Sequence, residues 1–111
     1  MPTLDVTTER QGGQARVVLA GELDIASTEM LERELESLES DSPGTLILDL
    51  RKVEVIDSTG LRAVIAANER AREAGRRLVV VRGSNAVERL FTVTQLDRRL
   101  EVVDDPSAVQ V

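Results

Sequence analysis

The stretch of this chain best suited to chemistry is Asp57-Ser58-Thr59-Gly60. Two hydroxyls stand beside a carboxylate, directly before Leu61, Val64, Ile65, Asn68 and Ala71, whose helical spacing runs up to Gly75. The first N–H groups of a helix lack intrahelical acceptors, and the aligned peptide dipoles place about half a positive charge there. A phosphate on Ser58 is tolerated at such an end, with Thr59 as the second candidate acceptor. Gly60, lacking a side chain, is expected to keep bulk off the loop and leave it open to a partner. The same residues have a plainer use, since Asp, Ser and Thr all cap helices, worth roughly 1 kcal/mol without any function. No capping box consumes the hydroxyls, because the residue three after Ser58 is Leu61 and the residue three after Asp57 is Gly60.

Asp49 and Asp57 form a conceivable carboxylate pair, but no base for a nucleophile accompanies them. The chain has no His and no Cys. It also lacks a Gly-x-x-x-x-Gly-Lys phosphate loop and a Gly-x-Ser-x-Gly elbow, so neither an enzyme nor a resident metal or cofactor is expected. A response-regulator receiver, phosphorylated on Asp49 or Asp57, is the closest chemical rival. It would need an early acidic pair to hold magnesium, which this sequence does not supply after its first strand.

A formal charge of −6 opposes binding to nucleic acid or anionic membranes and favours a basic partner. Phe91 is the only aromatic residue among 111, which removes the stacking faces of a single-strand binder and leaves an aliphatic core. That length predicts one domain over residues 1–111. The N-terminal Met1-Pro2-Thr3-Leu4-Asp5 has neither a basic segment nor an apolar one, and no run approaches the ~20 apolar residues of a membrane span. A cytoplasmic protein without disulfides is the expectation.

Elements to position Ser58 can be read on either side of it. Leu4, Val6 and Thr8 alternate, Gly12-Gly13 turns, and Ala15 to Ala20 extends again, which predicts a β-hairpin broken by Gly21-Glu22-Leu23-Asp24. Leu31, Leu35 and Leu38 predict an amphipathic helix from about Ala26 to Glu39, ended by Ser42-Pro43-Gly44. These leucines form a core stripe, too few for a coiled-coil seam. Leu46 to Leu50 reads as a central strand covered on both faces, with Asp49 near its end and a short connection to Ser58. Leu78 to Val81 is a second buried strand. Gly83-Ser84-Asn85 opens a short helix carrying Val87, Leu90 and Phe91, and Leu100 to Val103 is a last strand. Arg70, Arg72, Arg76 and Arg77, interleaved with Glu69 and Glu73, predict a solvated helix face. The order ββαβαβαβ implies an α/β fold with a mixed sheet and helices packed on it.

Set in this order, Gly21-Glu22-Leu23-Asp24, Asp57-Ser58-Thr59-Gly60-Leu61 and Gly75-Arg76-Arg77-Leu78 resemble the STAS domain of bacterial anti-sigma factor antagonists, over about residues 4 to 104. The resemblance implies a STAS fold and a non-enzymatic partner-switching module. Ser58 would be phosphorylated by an anti-sigma factor that is itself a serine kinase of the GHKL type. The unphosphorylated form would bind that kinase and release a sigma factor, and a serine phosphatase would restore it. Asp24, Asp57, Ser58, Thr59 and Gly60 would then face the partner. The alternative within the same fold is a constitutive adaptor of a transporter or signalling complex, with no phosphoswitch. The chain departs from the family pattern at Gln95-Leu96-Asp97, where Gly often precedes Leu-Asp, and its tail after Asp105-Pro106 is too short for a full closing helix.

Overall fold

The computed structural model describes residues 4–41, 43–83, 85–95 and 100–109. Its elements are β1 (Leu4–Gln11), β2 (Gln14–Leu23), α1 (Thr28–Ser40), β3 (Thr45–Ile56), α2 (Ser58–Glu73), β4 (Arg77–Val81), α3 (Asn85–Thr94) and β5 (Glu101–Val103). The order is the expected ββαβαβαβ. After β5 the described residues form a 3-10 turn, Pro106–Ala108. Ser42, Ser84, Leu96 and Asp97, which the sequence reading used, lie outside the described residues.

One five-stranded sheet runs β1-β2-β3-β4-β5. The tight hairpin makes β1 and β2 antiparallel, whereas each later strand returns through a helical crossover and pairs in parallel. Side chains alternate across the strands, so Leu46, Leu48 and Leu50 join Leu78 and Val80 beneath Leu31, Leu35, Val64, Ala67, Val87 and Phe91 of the three helices. Ile47, Val79 and Val81 point to the opposite face, where Val109 packs on them. The last turn therefore does a small part of the covering that a second helical layer would do.

Two strands run further than their apolar patterns suggest. β2 does not break at Gly21 but continues to Leu23 in the same phase as Ala15, Val17 and Leu19; the register shifts at Val18/Ala20 and Gly21/Glu22 place their extra residues in β3. β3 continues six residues past Leu50 to Ile56, although Arg51, Lys52 and Glu54 are exposed there and interrupt the hydrophobic run. Asp49 is therefore inside a strand, not at its end.

α2 stops as its sequence indicates. Gly75 has φ +70°, its N–H donates to the Arg72 carbonyl at 3.1 Å, and the Arg76 N–H donates to the Ala71 carbonyl at 2.8 Å. Those two bonds are a Schellman closure, which needs the left-handed conformation glycine adopts freely. The basic set is not one solvated face. Arg70 reaches across to Glu39 of α1, with Nε 2.9 Å from Oε1 and Nη2 3.0 Å from Oε2, and Arg77 lies in β4 and pairs with Glu101 of β5. Arg72 alone of these is exposed rather than half-buried. Among the described residues no helix is long and apolar enough to cross a membrane.

Candidate functional site

The carboxyl ends of β2 and β3 lie side by side, with Leu23 opposite Ile56; β2 leads into α1 through a turn of four residues and β3 into α2 through Asp57 alone. The turn after β2 is bound by its own side chains. Asp24 Oδ1 accepts from the backbone N–H groups of Ala26 and Ser27, each at 3.1 Å, and Thr28 Oγ1 donates to the Asp24 carbonyl at 2.6 Å. The buried Ser27 hydroxyl donates to the Glu22 carbonyl at 2.7 Å. Local side-chain bonds of this kind satisfy backbone groups that the strand no longer pairs.

After β3, Asp57 takes the extended N-cap conformation, φ −107° and ψ −178°. Its Oδ1 accepts the Gly60 N–H at 2.9 Å, and its Oδ2 accepts the Ile25 N–H at 3.0 Å. The Asp57 N–H in turn donates to the Leu23 carbonyl at 3.2 Å. One carboxylate thus caps α2 and ties it to the turn after β2. The Gly60 N–H first, and the Ile25 N–H with it, hold the Asp57 carboxyl below the usual carboxylate range, against a smaller opposing push from burial.

Of the three residues that suit a helix start, Asp57 does the capping. Ser58 is the first helical residue, exposed, and its hydroxyl has no hydrogen-bond partner among the described residues. Thr59 is half-buried. Gly60 is buried, which changes its expected role. A Cβ there would lie 2.5 Å from the Leu23 carbonyl oxygen and 2.7 Å from Leu23 Cγ. Its missing side chain lets α2 close onto the end of β2; it does not open a surface.

The aspartate needed by a receiver is engaged elsewhere. Asp49 is 1% exposed, and both its carboxylate oxygens meet Arg51, with Nε 3.0 Å from Oδ1 and Nη2 2.8 Å from Oδ2. Asp49 and Arg51 stand two apart on one strand face, whereas Asp57 caps a helix. They form no carboxylate pair.

The family described as Mlab, STAS domain, matches residues 6–104. The chain belongs to the STAS domain family of bacterial anti-sigma factor antagonists. It is 32% identical over 82 residues to the anti-sigma-F factor antagonist RsfB of Mycobacterium tuberculosis, covering 74% of this chain and 67% of that one. It is 27% identical over 99 residues to the anti-sigma-B factor antagonist of Staphylococcus aureus, covering 89% of this chain and 92% of that one. The crystal structure of an anti-sigma factor antagonist from Mycobacterium paratuberculosis superposes with a TM-score of 0.82 at 28% identity, covering 94% of this chain and 88% of that chain.

In this STAS domain most of the residues singled out by sequence meet in one place. Asp57, Ser58 and Thr59 gather at one corner with the turn of Asp24, joined through the Asp57–Ile25 bond. Asp24 itself is half-buried, and its Oδ1 is spent on the turn. The residue the sequence did not flag is Ile25, 76% exposed at that same corner. Its position directly after Asp24 was its only signal.

Proposed function

We propose that this STAS domain is an anti-sigma factor antagonist acting as a one-domain cytoplasmic module. Its partner is an anti-sigma factor kinase of the GHKL type, and binding releases a sigma factor. The kinase ends the interaction by phosphorylating Ser58, and a serine phosphatase reverses that. The observation that carries this reading is the placement of Ser58, an exposed hydroxyl with no described partner, at a corner whose backbone is fixed on both sides by Asp57. Support for the partner class comes from the names of the similar proteins, two of them anti-sigma factor antagonists of named sigma systems.

A switch here needs no refolding. Phosphoserine adds about −1.5 to −2 charge at neutral pH. A partner carboxylate about 7 Å away, at an effective dielectric near 40, would then be repelled by roughly 2 kcal/mol. That is about thirtyfold in affinity before any steric or desolvation cost. Asp57 already holds the Gly60 N–H, so the phosphate would find the helix end partly neutralised and would stand toward solvent, where a docking protein meets it.

The test is phosphosite mapping after incubation with ATP and the purified anti-sigma kinases of the same host, with affinity measured before and after. Acid-stable phosphate on Ser58 and a loss of affinity on its addition are expected. If phosphate adds nowhere, and Ser58→Ala and Ser58→Asp bind as the parent does, the chain is a constitutive adaptor instead. An acid-labile phosphate on an aspartate would point to receiver chemistry.

A further inference from the structure

A single exposed aliphatic residue is ordinary on a protein surface and by itself means nothing. Ile25 differs in how it is held. Its side chain is 76% exposed, yet its backbone N–H is bound to Asp57 Oδ2 at 3.0 Å, and the residues on either side are locked by the Asp24 turn. The fold therefore immobilises the backbone of a side chain from which it gains almost no burial. Rigid presentation of an apolar group lowers the entropy cost of docking it into a partner.

Its surroundings extend the same surface. The next residue, Ala26, begins a shallow groove with Glu29, Met30, Arg33 and Glu34 on the first turns of α1. Met30 is 38% exposed and adds a second, flexible apolar group. Along its length α1 carries five glutamates against one arginine; Glu29 pairs with that arginine, Arg33, Glu34 accepts from Thr8 and Glu39 from Arg70, while Glu32 and Glu36 are exposed. On the other side, Asp57 joins Ile25 to Ser58.

We propose that Ile25, with Met30 on the first turn of the helix that follows it, is the apolar anchor by which this domain docks into its anti-sigma kinase. The socket it fits is apolar and rimmed by lysine or arginine, complementary to the glutamates of α1 and to the net charge of −6. This rests on the partner class proposed above. It assigns the attraction to Ile25 and α1 and leaves to Ser58 the role of vetoing it.

The experiment measures the affinity of the purified host anti-sigma kinase for the parent chain and for Ile25→Glu, Ile25→Val and Ser58→Asp. Ile25→Glu is expected to weaken binding by about thirtyfold or more, as for a hot-spot residue, and Ile25→Val by less than about threefold. Because the side chain is exposed, the thermal midpoint of Ile25→Glu should match the parent, which separates lost docking from lost folding. If Ser58→Asp loses affinity while Ile25→Glu binds within about threefold of the parent, the anchor is wrong and the phosphoswitch stands. If the parent binds no anti-sigma kinase, the functional reading falls and takes the anchor with it.

Discussion

Asp57 and Ile25 are 32 positions apart in sequence, yet the carboxylate of one accepts the backbone N–H of the other at 3.0 Å. That bond makes one surface from two loops, and it comes from the same carboxylate that caps α2 through Gly60.

Its charge gives the bond a pH dependence. The folded pKa of Asp57 lies below its ordinary value, so ionised Asp57 contributes stability that is fully present above about pH 4 and is lost as pH falls through the lower folded value. Asp57→Asn keeps one oxygen and cannot serve both donors. The stability gap between parent and Asp57→Asn, read from urea titrations, should be constant from neutral pH to about 4 and should narrow below it. A gap that widens on acidification would contradict the assignment.

Ser58 stands outside this bonding. Removing its hydroxyl should change unfolding stability by less than about 0.5 kcal/mol, as for a surface substitution that breaks no contact. Ser58→Ala should nonetheless abolish phosphate incorporation by the cognate kinase. A clear loss of stability in Ser58→Ala would mean that the hydroxyl is structural.

Two glycines should respond to alanine for different reasons. At Gly60 the new methyl would press on Leu23, 2.5 Å from its carbonyl oxygen, so the gain of nearly 1 kcal/mol in helix propensity is outweighed and a net loss of about 2 kcal/mol is expected. At Gly75 nothing lies within 4 Å, and the cost of φ +70° is about 1 kcal/mol, relieved in Gly75→Asn. Thermal unfolding of the three variants checks both claims. Equal losses at the two positions would refute the packing role of Gly60.

What the sequence revealed and concealed follows from where side chains report on backbone. Gly75 was legible because a left-handed cap has a chemical signature, and Leu31, Leu35 and Leu38 because burial on a helix repeats with its period. The ends of β2 and β3 were not, since Gly21 leaves one position in the alternation of β2 without a side chain, while extra residues and exposed charges from Arg51 onward disturb the alternation of β3 without ending it. The Ser58 corner was legible as a helix start, although Asp57, Ser58 and Thr59 look alike as caps until geometry assigns the role to Asp57. Ile25 was hidden for a simpler reason. Hydrophobicity argues for the interior, and only the tertiary pairing of the two turns puts this residue outside.

Asp49 and Arg51 offer a last test, on the sheet face away from the helices. Burial pushes the Asp49 carboxyl up, but the guanidinium and backbone N–H of Arg51 outweigh it and bring the net pKa below the ordinary value. Removing the guanidinium in Arg51→Ala leaves a carboxylate with a side chain 2% exposed and its main cation gone. Breaking a fully buried pair costs about 3–5 kcal/mol, but Arg51 is itself 45% exposed and water would reach the gap, so about 2 kcal/mol is expected at neutral pH. The sign of the pH dependence follows. In the variant burial acts with less opposition, so Asp49 takes up its proton at a higher pH than in the parent and sheds the cost of a buried charge. The parent meanwhile loses the stability of its ionised Asp49 only as pH falls through the depressed value. The penalty of Arg51→Ala should therefore be largest at neutral pH and shrink on acidification, and Arg51→Lys should recover only part of it, because an ammonium cannot meet both oxygens as the guanidinium does. Urea titrations of the three proteins between neutral pH and about 4 measure this directly. A penalty independent of pH would show that Arg51 stabilises the strand by packing and not through the carboxylate.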